Sequence, residues 1–333
     1  MKLCIQTDKS WTARLEAACN CARALLACNH RDARKNNMVS KRYPFECIPH
    51  FYILTKYEIK QENRFVDMKL SIITVGMNHK SYIKNLYRTL LEEYRPNINF
   101  ECIYVDNCSN DGSVEWLKKK YPEVKIIKNS KPLGFGENNN IGANRALGEY
   151  LAIINPDIEI IDNSIEKIIA WMDSHIDDYG IVGPKLLNPD RTVQYSARTF
   201  ITAKSFFYRL LSRGDDESSN KKVSDYLCRD LNMDIIQPVN WIMGAAMFCT
   251  KELYTKLGGF DQDYFLYMED EDICLRSWKL GKPVYFLGSY AVIHNHLRGS
   301  RRIGKKMMNH FKSLYTFFRK HGVNVKNYTN QTS

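Results

Sequence analysis

Four carboxylates stand side by side in "FLYMEDEDICLR" (265–276): Glu269, Asp270, Glu271 and Asp272, between an aromatic run and Ile273, Cys274 and Leu275. A carboxylate among apolar neighbours is poorly solvated, so its pKa climbs toward that of a useful general base. The segment reads as a helix ending at Gly281. Successive helical residues point about 100° apart, so all four acids cannot face one site. Acids in a first turn also meet the positive end of the helix, which accounts for some of them without any chemistry. Two more acids stand where predicted strands stop. Asp157 follows Pro156 in "INPDIEI", and proline fixes the backbone before it. One carboxylate with phosphate oxygens and water suits Mg²⁺ or Mn²⁺; a strand-end turn is the competing reading. Asp106 opens "DNCSNDGS" and could accept hydrogen bonds from a ribose hydroxyl or a base N–H, or simply shape a turn. Asp111 and Ser113 read as caps of the helix that follows. "LGFGENNNIGANRA" (133–146) is neither a Walker A nor a G-x-G-x-x-G motif. Its Gly134 and Gly136 permit close backbone approach, and Asn138, Asn139 and Asn140 carry amides that could donate to a ligand.

The elements that must position these groups alternate. Strands are predicted at 70–75, 100–107, 124–129 and 150–155, and helices at 81–94, 113–121, 136–147 and 164–175. That rhythm predicts an α/β fold: a Rossmann-like, mostly parallel sheet with helices on both faces. Ligands of such sheets bind beyond the carboxyl ends of the strands, where Gly76, Asn78, Asp106, Asn155 and Asp157 fall. After about residue 180 the pattern changes. Residues 198–232 are mixed and include the polar stretch 212–222, read as a mobile loop; 239–250 is apolar and rich in small residues; 283–294 reads as a strand.

The formal charge of +11 lies at the two ends. Residues 1–67 hold 12 basic and 7 acidic side chains, residues 294–333 hold 9 basic and no acidic ones, and the body between them has 27 basic against 30 acidic. A weakly acidic body argues against a nucleic-acid groove across the sheet. Five of the ten cysteines (Cys4, Cys19, Cys21, Cys28 and Cys47) fall before residue 68, without standard zinc spacing. Met68 opens the first strand, so residues 1–67 are expected to be an extension outside the catalytic fold. No run approaches the ~18 apolar residues of a membrane-spanning helix, and the N-terminus lacks the apolar core of a secretory signal. The expectation is a cytoplasmic protein with reduced thiols.

Taken in order, "LSIITVGMN", "VDNCSNDGS", "LGFGENNNIG", "INPDIEI", "WIMGAAMFCTKELYTKLGGFDQDYFLYMEDEDICLR" and "VIHNHLRGSRR" resemble the inverting family 2 glycosyltransferases of GT-A fold, most closely their rhamnosyltransferase-like branch. The likeness covers about 70–302 and rests on order and spacing, since no single motif is specific. It implies a GT-A domain over 68–298 followed by a basic tail over 299–333. It implies that Asp270 of the Glu269–Asp270 pair is the catalytic base, and that Asp157 is the last acid of a metal-binding D-x-D signature. Asn155 replaces the first Asp of that signature, and Asn138 replaces a usual Gly. Nucleotide-sugar contacts are implied for Val75, Asn78, Asp106, Asn139, Asn140 and Asn155. His294 is implied near the diphosphate and a divalent cation, with His296 as the competing choice. Trp241, Gly244 and Ala245 are expected on the acceptor side, where Trp241 could stack on a sugar or pack in the core.

The resemblance implies transfer of a sugar, best matched by rhamnose from dTDP-rhamnose, to a glycan or lipid-linked glycan in bacterial surface-polysaccharide synthesis. A non-catalytic nucleotide- or glycan-binding relative and a nucleotidyltransferase are the alternatives. Residues 299–322 combine basic side chains with Met307, Met308, Phe311, Leu314, Tyr315 and Phe318 at helical spacing. Such a helix could lie on an anionic membrane at the inner face of the plasma membrane or pack on the domain. Arg298, Arg301 or Arg302 could instead clamp the diphosphate.

Overall fold

The structure, a computed structural model, describes residues 68–295 and 305–329. The cysteine-bearing segment 1–67, together with His296, Arg298, Arg301 and Arg302, lies outside the described residues. The parallel half follows the sequence rhythm: β1 (Leu70–Gly76), α1 (Lys80–Arg88), β2 (Phe100–Asp106), α2 (Ser113–Lys120), β3 (Lys125–Lys128), α3 (Phe135–Ala143) and β4 (Tyr150–Ile154). A wider helical turn, Thr89–Glu93, continues α1. Neighbouring side chains of β1 enter opposite cores, as a strand period of two requires. Ile73 joins Ile103, Leu151 and Ile153 on one face, while Leu70 and Ile72 join Ile83 and Leu86 of α1 on the other.

The rest of the chain is β5 (Ile158–Ile160), α4 (Ser164–Ser174), β6 (Val182–Leu187), β7 (Ala197–Arg198), α5 (Ala203–Leu211), α6 (Lys221–Tyr226), β8 (Ile236–Val239), β9 (Trp241–Ile242), β10 (Ala246–Thr250), α7 (Lys251–Lys256), α8 (Glu269–Lys279), β11 (Val284–His294) and α9 (Lys305–His321). The main sheet runs β3-β2-β1-β4-β10-β6-β11-β5, with β8 also on β11. β3, β2, β1 and β4 are mutually parallel. β10 then enters antiparallel to both β4 and β6, so the sheet is parallel in its first half and mixed in its second. The pair β7–β9 stands apart as a small second sheet.

Two stretches differ from their sequence reading. Residues 198–232 hold two helices flanking a shorter link. α5 starts at a reciprocal cap, in which Thr202 and Ser205 side chains bond each other's backbone N–H. The link is tied down: the Arg209 guanidinium donates to Asp215 O (3.3 Å) and that of Arg229 to Ser218 O (2.8 Å). Residues 239–250 split into β9 and β10 around a turn at Met243–Ala245.

The C-terminal elements close the second half. Leu314 and Phe317 of α9 are buried in the core, and Ser313 Oγ donates to Leu266 O at 2.9 Å. His321 Nε2 meets Asp272 Oδ1 of α8 at 2.7 Å. Beyond α9, Asn327 Oδ1 accepts from Phe200 N (2.9 Å), Asn240 Oδ1 accepts from Tyr328 N (2.7 Å), and Tyr328 stacks on Trp278. The packed reading of α9 therefore holds for its inner face, while Met308, Phe311 and Tyr315 stay exposed. No helix among the described residues is long and apolar enough to cross a membrane. Replacing Phe317 by Ala should destabilise the protein by about 3–5 kcal/mol, as for other fully buried aromatics. Tyr315→Ala, at a side chain that is 71% exposed, should shift the urea midpoint little. Equal midpoints for the two variants would contradict this packing of α9.

Candidate active site

β1 and β2 end level with one another, Gly76 opposite Asp106, and their loops are knitted together. Asp111 Oδ2 accepts from Lys80 N (2.8 Å) and its Oδ1 from Ser113 N (3.0 Å), so one carboxylate serves the starts of both α1 and α2. Asn78, held at φ +58°, takes Asn110 N on its side-chain oxygen (2.8 Å) and donates its own N–H to Ser109 Oγ (3.0 Å). Asp106 sits below them, 1% exposed, accepting from Ser109 N at 3.3 Å. Val75 packs half-buried against the core one residue before the strand end.

The glycine-rich segment is engaged differently from its sequence reading. A Cβ on Gly134 would come within 2.7 Å of Phe265 O, and one on Gly136 within 2.7 Å of Phe260 Cβ. Both glycines thus admit the 260–265 segment rather than a phosphate. The asparagine amides are likewise committed to protein. Asn140 accepts from Phe260 N (2.9 Å) and Tyr254 OH (2.7 Å) and donates to Phe260 O (2.8 Å). Asn139, buried, donates to Phe135 O (3.0 Å), and Asn138 donates to Gly134 O (2.7 Å). Asn138–Asn140 thus hold their own helix and the 260–265 segment, each with one amide N–H already bonded to protein.

The four acids of α8 have four different surroundings. The chain enters the helix through two consecutive non-glycine residues with positive φ, Tyr267 (+72°) and Met268 (+71°). Single left-handed residues are uncommon and two in a row are strained, a feature that clusters at functional sites. The bend sends Glu269 into the interior, where one carboxylate oxygen has no hydrogen-bond partner. Burial, reinforced by the Asp270 charge, pushes its pKa up to about 8. Glu271 accepts from Ile201 N, and burial holds its pKa well above the ordinary range. Asp272 is clamped by Arg276 Nε (2.7 Å) and His321. Asp270 alone is not fully buried. Its Oδ2 accepts from Gly244 N and its Oδ1 from Glu271 N, both at 2.9 Å. Burial raises its pKa, and those two N–H donors oppose the rise. Glu269 is therefore a buried neighbour that tunes Asp270, not a second accessible base.

The turn that holds Asp270 also holds the end of β4. Gly244 donates to Asp270, and Ala245 O accepts from Asn155 N at 2.8 Å. Asp157 stands two residues after Asn155. Its Oδ1 is buried without a hydrogen-bond partner, and burial pushes its pKa up to about 6. His294 arrives through pairing of β11 with β5, which sets it opposite Ile158 and brings its Nε2 to 3.6 Å from Asp157 Oδ2. The His294 Nδ1 contacts Gln194 Oε1 at 2.8 Å, while the Gln194 amide donates to His294 O (2.9 Å) and Asn188 Oδ1 (2.8 Å). With the amide nitrogen facing two acceptors, Oε1 must accept, so the neutral ring carries its proton on Nδ1 and turns its Nε2 lone pair toward Asp157.

Trp241 departs from its role as a stacking platform. It is 5% exposed, donates Nε1–H to Thr199 O (2.7 Å), and has the Arg198 guanidinium 5.5 Å from its ring centre. It is a core anchor for β9. Gly244 keeps its position because a Cβ there would sit 3.1 Å from Asp270 Cβ. Gln194 and Arg198 were not found from sequence; both reach the site through strand pairing and carry no local motif.

This arrangement, a GT-A-like α/β sheet with carboxylates at its carboxyl edge, has known counterparts. The family model "Glycosyl transferase family 2" matches residues 71–229. N-acetylglucosaminyl-diphospho-decaprenol L-rhamnosyltransferase of Mycobacterium tuberculosis is 27% identical over 65% of this chain and 73% of its own length. Rhamnosyltransferase WbbL of Escherichia coli K12 is 25% identical over 74% of this chain and 91% of its own. The crystal structure of GalNAc-T7 with UDP, GalNAc and Mn²⁺ superposes with a TM-score of 0.54 at 17% identity, covering 74% of this chain and 48% of that longer one, and supports the fold alone. The chain is a glycosyltransferase of GT-A fold. More closely, these similarities support a family 2, rhamnosyltransferase-like protein.

The burial of Glu269 has a measurable signature. Its folded pKa of about 8 lies above the 4.5 of an unperturbed glutamate, so folding takes up a proton between those values. The associated stability is fully present below the lower value and is lost as pH rises through about 8. Thermal melts of Glu269→Gln should match wild type near pH 5 and exceed it increasingly toward pH 9. A constant offset at every pH would mean that Glu269 ionises normally.

Proposed function

We propose that the protein moves a sugar, with inversion, from a nucleotide-diphosphate donor to a hydroxyl of a glycan or lipid-linked glycan. The names of its relatives in M. tuberculosis and E. coli favour rhamnose as the sugar; dTDP-rhamnose as donor and bacterial surface-polysaccharide assembly as setting complete the proposal. The observation that carries the reading is the Gly244–Ala245 turn, hydrogen-bonded to Asp270 on one side and to Asn155 on the other. It sets a partly exposed base beside the loop of Asp157.

In this reading the acceptor hydroxyl approaches Asp270. The two N–H groups on the carboxylate fix its orientation and leave its remaining lone pairs for the incoming proton. As the acceptor oxygen bonds the anomeric carbon, the bond from that carbon to the diphosphate oxygen breaks and the hydroxyl proton passes to Asp270. In the same reading Asp106, at the end of β2, holds the nucleoside, with Val75 and Asn78 shaping that side.

A divalent cation, Mg²⁺ or Mn²⁺, fits the residues at Asp157. That buried carboxylate has an oxygen without a partner, and the Nε2 of His294 faces it. Among the described residues no three His, Cys, Asp or Glu side chains cluster as a complete metal cage. The fit is therefore to an ion shared with a diphosphate, as is usual for Mg²⁺. When bound, the ion would neutralise charge on the departing diphosphate.

The outer faces of α5 and α9 support membrane association. Phe206 of α5 packs against Phe311 of α9, and the two helices expose Phe207, Leu210 and Leu211 beside Met308 and Tyr315. Lys204, Lys312 and Arg319 on the same helices, and Arg213 just after α5, are exposed too, the composition of a face that meets an anionic bilayer.

Asp270→Asn should retain nucleotide-diphosphate binding and lose transfer by roughly 10²-fold or more. Isothermal titration and release of nucleoside diphosphate measure the two, and wild-type turnover in the variant would remove Asp270 from the mechanism. Asp157→Asn should weaken nucleotide-diphosphate binding in Mn²⁺. Phosphatidylglycerol vesicles should pellet the wild-type protein but not a Phe207→Ser/Leu211→Ser double variant; equal pelleting would exclude this face.

A further inference from the structure

Arg198, whose charge Asp270 feels, belongs to a group of arginines that the reading above does not use. We propose that Arg198, Arg209 and Arg229 form a subsite for a diphosphate group on the acceptor, closed in this structure by the chain's own Asp216. The proposal rests on the glycosyltransferase reading and names the chemistry of its acceptor.

Arg198 lies on β7 opposite Trp241. Its guanidinium stands 5.5 Å from the Trp241 ring centre and 5.8 Å from that of Tyr226. Arg209, from α5, stands 6.0 Å from the same Tyr226 ring, so one aromatic side chain gathers two guanidinium groups. Arg229 completes the set through Tyr195: its guanidinium lies 5.7 Å from that ring, and Tyr195 O accepts from Arg198 Nε at 3.0 Å. Three like charges held this closely need an anion, and Arg198 already has the Asp270 charge beside it.

Asp216 supplies part of one. Its Oδ1 is 2.8 Å from Arg209 Nη2, both side chains being largely covered. The link that bears it is fixed by the Arg209 and Arg229 contacts to Asp215 O and Ser218 O. These two carboxylates, Asp270 and Asp216, do not saturate the site. The Nε and Nη2 of Arg229 are buried without any hydrogen-bond partner, an arrangement that is costly unless a ligand supplies acceptors. Guanidinium forks match phosphate oxygens in pairs, and a diphosphate offers more of them than a carboxylate.

Position selects the acceptor side. Arg198 faces Trp241, three residues before Gly244, whose N–H holds Asp270, and the Arg198 charge is felt by Asp270. The same helix that carries Arg209 exposes Phe207, Leu210 and Leu211. An isoprenoid diphosphate could thus set its anion on Arg209 with its hydrocarbon chain on the outer face.

The test uses the full chain with its donor site saturated by dTDP and Mn²⁺, and titrates farnesyl diphosphate or inorganic pyrophosphate. Farnesyl diphosphate should bind tighter than pyrophosphate. Arg209→Ala should weaken it by about tenfold or more, Arg209→Lys should weaken it less, and Asp216→Asn should tighten it, because bidentate charge-assisted bonds are lost, reduced and released from competition respectively. Matching thermal melts verify that each variant is folded. No farnesyl diphosphate binding in the wild type, or binding unchanged in both Arg209→Ala and Asp216→Asn, overturns the subsite. Equal affinity for pyrophosphate overturns its assignment to a lipid-linked acceptor. Loss of dTDP binding in the wild type is read separately and counts against the donor reading instead.

Discussion

The site depends on one short turn. Met243–Ala245 joins β9, in the small sheet, to β10, in the large one, and its peptide groups are shared between the two halves of the molecule. Gly244 N–H goes to the α8 carboxylate and Ala245 C=O to the first residue after β4. A side chain at 244 would press on Asp270, so only glycine brings the turn this close without displacing the carboxylate. Because β10 runs antiparallel beside β4, Ala246 faces Ile154 and the turn falls at the strand edge where β1 and β2 also end. The antiparallel insertion into a parallel sheet thus brings the acid helix to the nucleotide edge.

Around that turn the buried acids are graded by what they touch. Asp272 is neutralised by Arg276 and paired with His321, Glu271 accepts a backbone N–H, Glu269 has an orphan oxygen, and Asp270 has two backbone donors and partial access to water. Desolvation alone would keep such a cluster protonated. The two N–H groups on Asp270 favour its anion over that of its neighbour Glu269. A proton can therefore reside on the buried glutamate while the accessible aspartate stays available, a division of labour set by environment rather than by residue type.

Much of the fold was legible because its signals are local. The parallel half from residue 70 to 175 was read from β-branched runs and helical spacing, with bounds close to those observed, and the positions of Asp106 and Asp157 at strand ends and of Asp270 in a first turn followed from it. The helices of 198–232 were missed because both are short and the cap of α5 uses Ser205 where Glu or Gln gives the usual signal. The protein contacts of Asn138–Asn140 and of the glycines before them were not legible because an amide facing a phosphate and one facing a neighbouring backbone look alike in sequence. Gln194, Arg198 and the clustering of arginines around Tyr226 arise from strand pairing and a returning loop, which no window of sequence contains.

The segment 324–329 has a consequence for how the molecule is made. β1 to β4 pair with near neighbours in the chain, but β4 is completed by β10 and α3 by Phe260. The Phe200 N–H and the Asn240 side chain, which flank the strands carrying Arg198 and Trp241, find partners in Asn327, Tyr328 and Thr329. Synthesised last among the described residues, this segment fastens the wall around Arg198 and Trp241 after the rest of that wall has left the ribosome.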